Sequence, residues 1–140
     1  MTSGFVAHSS VGVAWAVASQ SSDGTRSLLD EVAAGRPCVI PVLWMFEVAN
    51  TLLVLLRRRR ISADEYGRAR HDLAELRPVV DDEGPHLAFG ETLELADKHA
   101  LSVYDAAYLE LALRKSLPLA SRDEALNKAA GRAGVKTMLD

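Results

Sequence analysis

Glu47 is an acid inside an apolar stretch, Leu43-Trp44-Met45-Phe46-Glu47-Val48-Ala49-Asn50. A charged side chain in such surroundings must be paired, protonated or bound to a metal, because desolvating it alone is prohibitive. Asn50 lies three residues on and shares its helical face. The competing reading of Glu47 is a buried ion pair with an arginine of the core. Asp105 lies in Leu101-Ser102-Val103-Tyr104-Asp105-Ala106-Ala107-Tyr108, where Ser102-x-x-Asp105 also has capping-box spacing. Asp123, in Leu119-Ala120-Ser121-Arg122-Asp123-Glu124, sits where an acid is stabilised by a helix dipole. There Ser121 and Glu124 have the spacing of a capping box, which leaves Asp123 free for another role. Taken singly, none of the three is specific. Together they suggest a carboxylate cluster for Mg²⁺ or Mn²⁺, hard cations that take one or two carboxylates plus waters and substrate phosphates. Such an ion lowers the pKa of a bound water and steadies the leaving oxygen of a phosphodiester.

These residues need elements to position them. Phe5-Val6-Ala7 reads as a short strand, and helical periodicity begins with Val11, Ala14, Trp15 and Ala18 behind Ser9 or Ser10 as N-cap. A second helix runs from Ser27 to Ala34 and closes at Gly35. Cys38-Val39-Ile40 has the β-branched character of a buried strand. Pro41 then starts a long helix from Leu43 to about Arg59. Ser62 to Leu76 is amphipathic and ends before Pro78. Val79-Val80 is a short strand, His86 to His99 a helix, and Ser102 to Leu113 another. Leu117 to Ala120 is a strand, Ser121 caps a last helix to Ala130, and Val135-Lys136-Thr137 is a final strand. Short apolar strands alternating with helices imply an α/β fold, its mostly parallel sheet covered on both faces. Ligands bind such sheets beyond the C-terminal ends of the strands, so the residues after Ala7, Ile40 and Ala120 matter most.

Length and composition set the frame. A chain of 140 residues is read as one domain, 1–140, and 49% hydrophobic with 25% charged residues is globular composition. Sixteen Lys+Arg against 19 Asp+Glu give a formal charge of −3, which excludes a generally basic nucleic-acid coat. The single cysteine, Cys38, forms no internal disulfide and fits a reducing compartment. Met1–Gly4 has no basic n-region, so no targeting segment is expected. Val39–Leu56 is as long as a short membrane span but contains Pro41, Glu47 and Asn50, so it reads as a helix of a cytoplasmic protein. His71, His86 and His99 lack ligand spacing, and neither a glycine-rich phosphate loop nor a Gly-x-Ser-x-Gly elbow occurs. Arg57, Arg58, Arg59 and Arg60 form the one basic run. They are read either as a solvated helix end suited to the dipole or as contacts to nucleic-acid phosphates or an acidic partner. Leu52, Leu53, Leu55 and Leu56 exceed what one buried face requires, which suits a helix-mediated dimer.

In order and spacing, the first strand with Ser9-Ser10-Val11, then Phe46-Glu47-Val48-Ala49-Asn50, Ser102-Val103-Tyr104-Asp105-Ala106-Ala107-Tyr108 and Ala120-Ser121-Arg122-Asp123 resemble a PIN-domain ribonuclease. The likeness extends in particular to the VapC-like toxins of bacterial toxin–antitoxin modules, and it covers nearly the whole chain. It implies a three-layer PIN-like fold and an endoribonuclease dependent on Mg²⁺ or Mn²⁺, usually a homodimer, neutralised by a small antitoxin that wraps it. By position, Glu47, Asp105 and Asp123 match three of the family's four metal-site acids. Asn50 matches the polar position beside the helical Glu, and Ser121 the hydroxyl that accompanies the last acid. The fourth position departs from the pattern: members carry an Asp just before the serine, here Ser9, and this chain has His8. Imidazole removes a negative charge and lowers the expected Mg²⁺ affinity, although His8 suits a softer ion such as Mn²⁺ or Zn²⁺. The substitution is read as deactivating, as natural degeneracy, or as a variant site with a His ligand. The alternative to an impaired nuclease is a non-catalytic PIN-like protein that binds an antitoxin or RNA without cleavage.

Overall fold

The computed structural model describes residues 3–139. Met1 and Thr2, read above for a targeting signal, lie outside the described residues. The elements run β1 (Phe5–Ala7), α1 (Ser9–Ala16), α2 (Asp23–Ala33), β2 (Cys38–Pro41), α3 (Leu43–Arg57), α4 (Ala63–Glu75), β3 (Val79–Asp81), α5 (Leu93–His99), α6 (Val103–Lys115), β4 (Leu119–Ala120) and α7 (Glu124–Arg132). The sheet has the order β3-β2-β1-β4, and every pairing is parallel. Parallel strands need helical crossovers, and these cover both faces of the sheet, which makes the fold α/β as the alternation predicts. Central β1 is completely buried, as its unbroken apolar run requires. Val135–Thr137 does not form a full strand; it adds one parallel bridge, Thr137 to Leu119. Among the described residues no helix is long and apolar enough to cross a membrane.

From β1 the chain steps to β2 and β3 on one side and returns to β4 on the other. The β1/β4 seam is therefore the topological switch point, where a crevice opens beyond the carboxyl ends of the strands. Packing brings α3 hard against α1 at this end. A Cβ on Gly12 would come within 2.5 Å of the Trp44 ring and 2.9 Å of Val48 Cγ2, so only glycine permits the approach. The indole N–H of buried Trp44 donates to the His8 carbonyl at 3.2 Å, tying α3 to the end of β1.

Several boundaries differ from the sequence reading. Helix α1 is capped by neither Ser9 nor Ser10 but by His8, because a single residue separates it from β1. Helix α2 starts earlier, at Asp23, where Ser22 and Thr25 form a reciprocal capping box. Pro41 closes β2, pairing in register with Asp81, instead of opening α3. Residues His86 to His99 are not one helix. A 3₁₀ turn (Gly84–Leu87) and a π turn (Ala88–Thr92) precede α5, and Gly90 at φ −110°, ψ −108° breaks the helix. Finally, Ser121 does not cap α7: it is still fully buried at the end of β4, and the helix begins only past Asp123, which caps it.

Candidate active site at the sheet switch point

His8 leaves the end of β1 with both ring nitrogens engaged. Its Nδ1 accepts from the Ser10 backbone N–H at 3.3 Å and from the Ser10 hydroxyl at 2.9 Å. A backbone amide can only donate, so Nδ1 carries no proton and the ring is in its Nε2–H tautomer. That Nε2–H donates to Asp105 Oδ1 at 3.0 Å. The ring lies edge-on to Tyr108, with centroids 4.6 Å apart. His8 is buried and its nitrogens are turned to protein partners. A metal would gain a ligand from it only after these bonds break.

Asp105 is delivered by the first turn of α6. The cap and the site divide its groups: Ser102 Oγ accepts from the Asp105 backbone N–H at 3.1 Å, while the Asp105 carboxylate turns to His8. The capping spacing seen in the sequence thus positions the backbone and leaves the side chain available.

Glu47 stands on the second turn of α3 and is half-buried. Its partner is not a core arginine. Tyr108 donates its hydroxyl to Glu47 Oε1 at 2.5 Å. Burial first, and then the Glu47 carboxylate, push the Tyr108 phenol far above its ordinary range, so its proton stays on and the hydroxyl remains a donor. Tyr108 belongs to the motif that carries Asp105, three residues on and one helical turn away. Its role went unread in the sequence, although a buried tyrosine hydroxyl in an apolar helix always calls for a partner. The buried acid–arginine pair expected at Glu47 exists elsewhere. Glu110 and Asp81, 5% and 7% exposed, share Arg114, whose guanidinium grips Asp81 through two bonds of 2.7 and 2.9 Å and Glu110 through two of 2.8 and 3.0 Å. This latch ties β3 to α6.

Asp123 caps α7: its Oδ1 accepts from the Leu126 N–H at 2.8 Å. This corrects the expectation that Ser121 and Glu124 would form the box and leave Asp123 free. Ser121 Oγ instead accepts from the Asp123 N–H at 3.0 Å and fixes the turn that presents it. Asp123 is joined to the rest of the site through its neighbour, for the Arg122 N–H donates to Ser10 Oγ at 3.1 Å. Asn50 is exposed on α3 and outside these contacts, and Ser9 follows His8 at the start of α1. Arg57, Arg58, Arg59 and Arg60 lie exposed at the far end of α3, with Arg59 in the left-handed conformation (φ 56°).

The donor set can be weighed against a hard divalent ion. Glu47, Asp105 and Asp123 each keep one carboxylate oxygen outside the hydrogen bonds named here, and carboxylate oxygens suit Mg²⁺ or Mn²⁺. Among the described residues, however, no group of three or more His, Cys, Asp or Glu side chains closes into a metal cage. The residues fit a water-rich site held by one or two carboxylates, the manner in which Mg²⁺ is ordinarily bound. The lowered charge at position 8 is the mismatch.

Comparison with known proteins gives a consistent picture. No curated protein matches the chain in sequence. Among solved structures, PAE2754 from Pyrobaculum aerophilum superposes with a TM-score of 0.70 at 20% identity, covering 96% of this chain and 83% of that one. VapBC2 from Rickettsia felis, bound to a DNA fragment from their promoter, gives 0.67 at 11% identity over 99% of both chains. FitAcB from Neisseria gonorrhoeae gives 0.65 at 16% identity over 96% of both. At these identities the likeness establishes the fold. The family profile described as PIN domain matches residues 9–132, which hold β2, β3 and β4 and the acids Glu47, Asp105 and Asp123, and the chain belongs to the PIN-domain family.

Proposed function

We propose that this protein is an endoribonuclease toxin of a toxin–antitoxin module, dependent on Mg²⁺ or Mn²⁺, whose cleavage is impaired by His8. The observation that carries the reading is the convergence at the sheet's carboxyl end: Asp105 bonded to His8, Glu47 to Tyr108, and Tyr108 packed on His8. The metal, when bound, supplies a water of lowered pKa and neutralises charge on the attacked phosphodiester. The chain's own contribution is orientation. Tyr108 fixes one oxygen of Glu47, the Ser102 cap fixes the backbone of Asp105, and the Ser121 turn presents Asp123. Position 8 works against this set. The His8 Nε2–H occupies an oxygen of Asp105, and the ring supplies no charge where a carboxylate would add one.

Partners follow from the surface and the comparisons. Phe46 and Tyr104, 75% and 66% exposed, line one apolar cleft of about 330 Å³ with Val42 and Val103. Exposed apolar surface of this extent marks a protein interface, and we assign it to a second copy of the chain. The likeness to VapBC2, FitAcB and a toxin–antitoxin complex from Klebsiella pneumoniae supports an antitoxin as further partner, and we assign both proteins to the cytoplasm.

The test is RNA cleavage by the chain beside its His8→Asp variant, with Glu47→Gln in the His8→Asp background as control. The reading expects weak cleavage, a strong gain with His8→Asp and loss of that gain with Glu47→Gln. A chain that already cleaves at a rate His8→Asp leaves unchanged refutes impairment. A second reading, a non-catalytic PIN protein that binds an antitoxin or RNA, is favoured by the engagement of every site acid with an internal donor. Calorimetric titration separates the two, since no binding at millimolar Mg²⁺ or Mn²⁺ supports the second.

A further inference from the structure

We infer that the open cleft beside the acids is a nucleotide subsite, in which Arg122 holds the backbone phosphate next to the scissile one and Thr51 reads the adjoining ribose. The inference rests on RNA being the substrate. The cleft, about 420 Å³, is lined by Ser9, Ser10, Val13, Gln20, Thr51 and Arg122, a volume within the roughly 300–1,000 Å³ of small-ligand sites. It lies on the β1/β4 switch point, since Ser9 and Ser10 follow β1 and Arg122 follows β4. It also adjoins the elements that carry Glu47 and Asp123 and reaches Asp105 through the His8 ring. Ser10 holds the His8 ring, Arg122 precedes Asp123, and Thr51 is one helical turn beyond Glu47. A strand crossing the carboxylates has its neighbouring nucleotide here.

The chemistry of the lining selects the ligand. No carboxylate lines the cleft, and Arg122 has no acidic partner among the described residues. Its guanidinium is steadied by one bond, to the Gln20 carbonyl, and its backbone by Ser10 Oγ. The other guanidinium donors have no partner among the described residues, and a fork of parallel N–H groups matches two phosphate oxygens. Thr51 is specialised in the opposite sense. Its hydroxyl proton is given to the Glu47 carbonyl at 3.0 Å, so its oxygen is left as an acceptor. A phosphate has no proton to offer such an acceptor, whereas a ribose 2′-hydroxyl does. One cationic fork and one acceptor therefore describe a ribonucleotide, and DNA would satisfy only the first.

The test is anisotropy of a labelled mixed-sequence single-stranded RNA and its DNA counterpart, titrated with the protein in EDTA over a series of salt concentrations. Thermal unfolding confirms that each variant is folded. Arg122→Gln is expected to weaken RNA binding about 10-fold and to flatten the salt slope by about 0.7, one single-strand phosphate contact. Arg122→Lys should keep the slope. Thr51→Val should reduce the preference for RNA over DNA and leave the salt slope as it was. RNA binding by Arg122→Gln equal in strength and slope to the parent overturns the subsite while leaving the ribonuclease reading intact. A parent preference retained by Thr51→Val overturns the ribose contact. A parent chain that binds no RNA overturns the substrate reading and the subsite together.

Discussion

Replacing His8 by Asp puts two carboxylates where the structure has a hydrogen-bonded pair, and the consequences can be worked from that pair. His8 Nε2 lies 3.0 Å from Asp105 Oδ1. A shorter aspartate at position 8 would set its oxygens about 4 Å from those of Asp105, where two unit charges at an effective dielectric of about 20 repel by roughly 4 kcal/mol. Asp105 retains 26% of its side-chain exposure, so solvent screens part of this. With loss of the His8–Asp105 hydrogen bond, the metal-free variant should be less stable than the parent by about 2–4 kcal/mol. At roughly 3 °C per kcal/mol for a domain of this size, its Tm in EDTA should fall by about 6–12 °C. The α1 cap survives, because aspartate is as good an N-cap as any residue. Saturating Mg²⁺ offsets most of the effect. An ion at 100 times its Kd returns about 2.7 kcal/mol, so the variant should recover most of its Tm while the parent gains little. The assay is thermal unfolding of both proteins in EDTA and in millimolar Mg²⁺, with calorimetric titration of the ion. A variant that melts like the parent in EDTA and gains nothing from Mg²⁺ refutes the argument that position 8 sets the charge of this site.

Three further outcomes follow from other contacts. Tyr108→Phe should cost about 1–3 kcal/mol of stability by leaving a half-buried carboxylate oxygen without its donor, and in the His8→Asp background it should weaken Mg²⁺ binding. Unchanged stability and affinity would show that the 2.5 Å bond positions nothing. Gly12→Ala should destabilise by about 1–3 kcal/mol, measured by urea unfolding, because its methyl would meet buried Trp44. The Arg114 guanidinium holds Asp81 below the ordinary carboxylate range, and the Gly84 N–H assists. A depressed folded pKa stabilises above the unfolded value and is lost as pH falls through the folded one. Stability from the latch is therefore full at neutral pH and fades below about pH 4. Asp81→Asn should lower stability at pH 7 and flatten the acid limb of the pH–stability curve; a parallel curve would place the acid sensitivity elsewhere.

Strands β1 and β2 were legible because each rests on an unbroken apolar run, and Glu47 stood out as a carboxylate inside an apolar helix. What escaped depends on contacts distant in sequence or on rival local signals. Ser121 and Asp123 are both good N-caps two residues apart, and the choice falls to Asp123 because Ser121 directly follows β4 and is fully buried. His86 to His99 reads as one helix, yet Pro85 in the 3₁₀ turn and the break at Gly90 divide the segment into three. The partner of Glu47 could not be chosen from sequence, since Tyr108 and Arg114 both sit on α6 and differ only in which face of it they occupy. Arg122 was hidden for the same reason: nothing local distinguishes a solvated arginine from one aimed into a crevice that forms only when β4 pairs with β1.

The basic run at the end of α3 yields a prediction in which stability and binding move in opposite directions. Arg59 adopts φ 56°, a left-handed conformation that costs a side-chain-bearing residue about 1–2 kcal/mol and glycine almost nothing. Arg59→Gly should therefore raise stability by about 1 kcal/mol, read by urea unfolding, since glycine is the preferred residue after a helix end. Arg57 lies ten residues beyond Glu47 on one helix, about 15 Å along its axis, within the span of a few nucleotides of a strand that occupies the Arg122 cleft. If these arginines face RNA phosphates, Arg59→Gly should weaken RNA binding as it stabilises the fold, and a Glu pair at Arg57 and Arg58 should flatten the salt slope by more than the single neutralisation at Arg122. A stabilised variant that binds RNA with the parent's affinity and slope would assign the run to the helix dipole alone, and would leave the arginine in its strained conformation without a functional reason.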